Sequence, residues 1–108
     1  MALFELRQYK IRPGTMDAWL KLMQEEAIPF QVSKGAVITA MFQGESDDSL
    51  FFWIRRFENE EERARIWTEI YESDHWKSSI APRLDELRDR SAMKLQRVIP
   101  AKLSPSQL

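Results

Sequence analysis

The sequence predicts one α+β domain whose elements run β-α-β-β-α-β. Three observations predict it. Four stretches carry the two-residue period of strands, and two long stretches between them carry the helical period. A short polar turn joins the two middle strands, which reads as a hairpin. The length of 108 residues and the 44% apolar content suit a single core, one that buries roughly two-thirds of the unfolded chain's surface.

Leu3 to Ile11 alternates Phe4 and Leu6 with Glu5 and Arg7, a strand pattern. Pro13-Gly14 ends it, and Thr15 is placed to cap the next helix through its hydroxyl. From Thr15 to about Ser33, Met16, Trp19, Leu20, Met23, Ala27 and Phe30 form one stripe; Pro29 should kink or loosen the last turn, and Gly35 suits the stop. Ala36 to Gly44 is rich in β-branched residues, Glu45 to Asp48 is the polar turn, and Ser49 to Phe57 is the strongest strand. Asn59 opens the second helix, with Glu62 completing a capping box. Arg63, Ile66, Trp67, Ile70 and Tyr71 share its stripe. Ser73-Asp74 reads as a further cap, with His75 and Trp76 beginning a short helical piece. Ile80, Leu84 and Leu87 continue that face, and Pro82 fits only near a helix start. Ala92 to Pro100 alternates as the last strand. This order is the ferredoxin-like split βαβ: right-handed crossovers place both helices on one face of a four-stranded antiparallel sheet. The domain spans 1–101, and residues 102–108 read as a loose C-terminal tail.

Sixteen Lys/Arg against seventeen Asp/Glu give a net charge of -1, which argues against nucleic-acid or membrane-surface partners. With no cysteine and one histidine, thiolate and multi-histidine metal sites are excluded within one chain. Phosphate loops, zinc spacings and nucleophile elbows are lacking, so no cofactor is expected. Glu5 comes too early for a secretory signal, and no apolar run approaches the ~20 residues that span a bilayer. The expectation is a soluble cytoplasmic protein.

A sheet with helices on one side should be polar on the other. The third strand breaks that rule: Leu50, Phe52, Ile54 and Arg56 occupy one parity, and Phe51, Trp53, Arg55 and Phe57 the other. Either parity leaves bulky apolar side chains uncovered, and Arg55-Arg56 puts one cation on each face. A second copy related by a two-fold axis is the simplest cover, making an eight-stranded barrel with helices outside. Glu5, Arg7, Thr39, Lys94 and Gln96 are the polar residues that would pair inside it, depending on parity.

Glu5-Leu6-Arg7-Gln8-Tyr9 followed by Pro13-Gly14 resembles the opening of NIPSNAP domains. Glu26 and Pro29 late in the first helix, Gly35, the strand with Trp53, the helix with Arg63, and Tyr71-x-Ser73-x-x-Trp76 extend the resemblance from about Leu3 to Pro100. The resemblance implies the dimeric α+β barrel. It does not assign a reaction, and the chain shows no leader of the kind that would carry over the family's mitochondrial links.

Candidate chemistry centres on a few residues. His75 titrates near neutral pH by default, so it is a candidate general base, or, by analogy with haem-degrading barrel relatives, an axial ligand. The plainer reading is a helix-start histidine bonded to backbone. Arg63, on an apolar stripe, would present a guanidinium to a carboxylate or phenolate, or pair with Glu5 or Glu26. Tyr71 is the alternative donor. Tyr9, Trp53, Tyr71 and Trp76 are the expected lining of an aromatic pocket between sheet and helices, against core packing as the simpler role. The function expected is binding of a small, partly apolar ligand by a homodimer. The alternative is a cofactor-independent monooxygenase or isomerase acting on an aromatic-type substrate.

Overall fold

The structure, a computed structural model, describes residues 2–103. Its elements are β1 (Leu3–Ile11), α1 (Met16–Leu22), a π-helical stretch (Met23–Ala27), α2 (Ile28–Ser33), β2 (Val37–Gln43) and β3 (Leu50–Phe57). They continue with α3 (Glu60–Tyr71), a second π-helical stretch (Trp76–Ile80), α4 (Ala81–Leu87) and β4 (Arg88–Val98). All strand pairs are antiparallel and the sheet order is β2-β3-β1-β4, the ferredoxin-like arrangement. The expected loose tail, 102–108, lies outside the described residues from position 104 onward. No helix of the described residues is long and apolar enough to cross a membrane.

Both helical segments solve the same problem in the same way. Pro29 and Pro82 each follow a π turn and occupy the first positions of α2 and α4, where a missing N–H costs nothing. The preceding residues bond five back: Ile28 N–H donates to Met23 O, and Ala81 N–H to Trp76 O. The proline effect expected in the last turn of the first helix is thus absorbed one turn earlier. Thr15 does not cap with its side chain; its hydroxyl donates to Arg12 O at 2.8 Å and Leu87 O at 3.3 Å instead. Asn59 does cap, accepting from Glu62 N at 2.8 Å, while Glu62 Oε1 accepts from Glu58 N–H at 3.2 Å, one residue earlier than a full capping box requires. Ser73 caps the later piece by accepting from Trp76 N–H.

The last strand begins at Arg88, four residues before the expected Ala92. Between Gln8↔Lys94 and Lys10↔Asp89, β4 carries four residues opposite one of β1. Asp89 folds this bulge by accepting the N–H and hydroxyl of Ser91. The polar run Asp89-Arg90-Ser91 therefore reads locally as a turn even though the strand starts before it.

Register decides which parity is inside. Glu5 pairs with Arg55, Arg7 with Trp53 and Tyr9 with Phe51, and these side chains face the helices. Trp19, Ile66, Ile70, Trp76, Ile80 and Leu84 close over them. The opposite face carries Leu6, Phe52, Ile54 and Arg56, joined by Phe42 opposite Phe52. Leu6 is 40% and Phe42 55% exposed, whereas Phe4 on the same face is buried. Trp53 belongs to the helix-covered core, and Glu5 and Arg7 are likewise not on the open face; Lys94 and Gln96 are.

Candidate functional site

The space between sheet and helices is built around a buried carboxylate. Glu5 Oε1 accepts from Arg55 Nη2 at 2.6 Å, from Arg55 Nε at 3.1 Å and from Arg7 Nη1 at 3.3 Å. Arg55 is nearly inaccessible and completes its set by donating from Nη1 to Gln31 Oε1 at 2.8 Å and Tyr71 Oη at 2.9 Å. Arg7 Nε donates to Tyr9 Oη at 2.9 Å. A buried arginine is tolerated only with such full pairing. Burial pushes the Tyr71 hydroxyl above its ordinary value against the opposing pull of Arg55 and Arg7, so it stays a neutral phenol.

A cavity of about 430 Å³ opens beside this network. Tyr9, Trp53, Tyr71 and Trp76, the four residues expected to line a pocket, all reach it, and so do Arg7 and Gln31. The aromatic walls are mutually braced: Tyr71 meets Trp76 edge-on at 5.2 Å, Tyr9 meets Trp19 edge-on at 5.6 Å, and half-exposed Trp67 packs on Tyr71 at 5.3 Å. The π stretches supply Met23, Trp76 and Lys77, and the β4 bulge supplies Arg90 and Met93. The irregular turns thus sit where the wall needs room, a recurrent use of π geometry. Arg88 crosses the Tyr9 ring at 5.1 Å and donates to Asp85 Oδ1 from Nε and Nη2.

His75 and Arg63 lie elsewhere. His75 is exposed on the outer side, its ring 5.0 Å from Phe30, and is not among the residues lining the cavity. Arg63 is held by Glu60 through two bonds of 2.9 and 2.8 Å and reaches Glu5 Oε2 only at 4.0 Å. Hydrogen bonding from Arg63 holds the Glu60 carboxyl down at about 2, with Arg97 adding to it. Glu26 instead binds Arg83, at 2.5 and 2.6 Å. Among the described residues there is no group of carboxylates and histidine able to hold a metal.

Arg7, Gln31 and Arg88 are the residues that periodicity did not single out as a site. Gln31 continues the stripe Met23-Ala27-Gln31 at four-residue spacing, a polar residue on an apolar seam. Glu5-Arg7-Tyr9 share one strand parity, which was a visible signal once that parity is known to be buried.

Comparison with known proteins follows the same outline. The NIPSNAP family model matches residues 4–105. No curated protein sequence matches the chain. Among solved structures, a NIPSNAP family protein from Agrobacterium tumefaciens is 25% identical, covering 97% of this chain and 98% of that one with a TM-score of 0.85. An uncharacterized NIPSNAP domain protein from Burkholderia xenovorans is 19% identical over 96% and 99%, TM-score 0.83. SnoaB, a cofactor-independent oxygenase from Streptomyces nogalater, is 12% identical over 97% and 98%, TM-score 0.74. At these identities the latter two show the fold alone.

Proposed function

The chain belongs to the NIPSNAP family, and we propose that it is a homodimeric domain that binds a small, partly apolar ligand between its sheet and its helices. The observation that carries this reading is the gathering of Tyr9, Trp53, Tyr71 and Trp76 around one cavity of about 430 Å³, within the size range of small-molecule sites. The pairing with a second copy is supported by the open sheet face, where Leu6, Phe42, Phe52 and Ile54 adjoin one another.

The likeness to SnoaB favours a second reading, a cofactor-independent oxygenase in which Tyr71 and Arg7 hold a developing enolate oxygen. That chemistry also calls for a base facing the substrate. The carboxylate among the cavity's described residues is Asp85, and it is bound to Arg88 and Arg90. Binding is therefore the reading preferred. Titration with 2-naphthol should quench tryptophan emission saturably with one site per chain. Met93→Trp, which fills the wall at a half-buried strand position, should remove the quenching and leave the melting temperature within a few degrees. Quenching that is linear in the probe, or untouched by the filled cavity, would overturn the binding reading. Protein-dependent oxygen uptake with a dihydroxynaphthalene would restore the oxygenase.

A further inference from the structure

Resting on the reading that the cavity binds a ligand, we propose that it selects a flat aromatic molecule bearing a carboxylate, with Arg7 as the residue that receives the anionic group.

The buried charges around the cavity do not balance. Arg7 and Arg88, both largely buried, line it with Arg55 just behind them, while Lys77 and Arg90 stand at its exposed rim; Asp85 is the one carboxylate among the lining residues and Glu5 the one behind it. Each of these carboxylates is shared: Glu5 serves Arg55 and Arg7 through the same oxygen, with Arg63 4.0 Å from its other oxygen, and half-buried Asp85 serves Arg88 and Arg90. In a low-dielectric interior a surplus of cations is costly unless an anion joins it.

The hydrogen-bond inventory points the same way. Trp19 Nε1 and Trp53 Nε1 are buried without a partner among the described residues, and both rings line the cavity. Buried donors of this kind are rare. Tyr9 and Tyr71 each accept an N–H from an arginine, which leaves each phenolic proton available to donate. Among the described residues Arg7 makes its bonds through Nε and Nη1, and Nη2 makes none. The site is thus rich in donors and poor in acceptors. Its walls are the faces and edges of four braced aromatic rings, which suit a planar body. A carboxylate matches the planar guanidinium fork, whereas a neutral alcohol offers one acceptor and no charge.

The test compares 1-naphthoate with 1-naphthalenemethanol, a neutral molecule of the same shape, by calorimetry on the full chain. The expected result is at least about tenfold tighter binding of the naphthoate, with Arg7→Met bringing the two within about twofold. Circular dichroism confirms that the variant is folded. If it is not, Arg7→Lys keeps the charge without the fork and should lose part of the preference; a ratio equal to the parent's would overturn the assignment of Arg7. A preference that survives Arg7→Met overturns it as well. Equal binding of both probes by the parent overturns the anion selectivity while leaving the ligand-binding reading intact. Failure of both probes to bind overturns the two together.

Discussion

On the helix-covered face of the sheet, Glu5, Arg7 and Arg55 lie among Tyr9, Trp53 and Phe57. On the opposite face, Leu6, Phe42, Phe52 and Ile54 carry no charge and several of them remain substantially exposed. Ionised groups are thus enclosed within the apolar core beneath the helices, and apolar groups face outward beside Arg56 and Lys94. The two faces differ in what encloses them: the protein's own helices cover the first, and the second lies open. The enclosed charges cost desolvation, and they persist because Gln31, Tyr71 and Tyr9 complete their hydrogen bonds. The outer apolar residues lose little by themselves and gain only when another surface arrives.

The strongest way to break this comparison is to remove the anion at the centre of the covered face. Glu5→Gln leaves Arg55 and Arg7 without their shared carboxylate and should cost about 3–5 kcal/mol in urea unfolding, with an unchanged m value. A loss below about 1 kcal/mol would show that the enclosed charges are not mutually dependent. Next in size is the open face. Light scattering should find the parent as a dimer, and Ile54→Asp should weaken that dimer by about 2 kcal/mol or more, giving folded monomer. A parent that scatters as a single subunit would remove the second copy from the account. Trp53 is the informative contrast: since it is 2% exposed within the covered core, Trp53→Asp should unfold the chain rather than merely separate subunits. The smallest effect lies at the rim, where Arg63 spans Glu60 and the edge of the Glu5 network. The Glu60 carboxyl is depressed to about 2 from 4.5, so its stabilising contribution is complete above pH 4.5 and disappears as pH falls through about 2. In Arg63→Met its titration, followed by NMR, should move up toward the ordinary value, short of it because Arg97 remains.

Much of this was legible in the residues. The β-branched and aromatic alternation of Leu3–Ile11 and Leu50–Phe57 marked two central strands, and Asn59 with Glu62 marked a helix start, because these signals act within a few residues. The aromatic residues around the cavity were also visible as an excess. The start of β4 was hidden, since Asp89 and Ser91 form a local turn inside a strand whose pairing depends on distant β1. His75 drew attention for its chemistry, yet the position of a side chain on a short helix is set by the rotation of that helix against the sheet. It faces Phe30 and the outside.

By itself the sequence determined the order of elements, the capping of α3, and the presence of bulky apolar residues on both parities of β3. Periodicity and composition are local quantities, and they suffice for that. Only the tertiary structure decided that Phe51, Trp53, Arg55 and Phe57 turn inward, that Arg7 and not Arg63 stands at the cavity, and that Leu6, Phe52 and Ile54 lie on the open face. A shift of one residue in strand pairing exchanges the two faces entirely. The long-range match of Glu5 with Arg55, fifty residues apart, is the contact that anchors the observed choice.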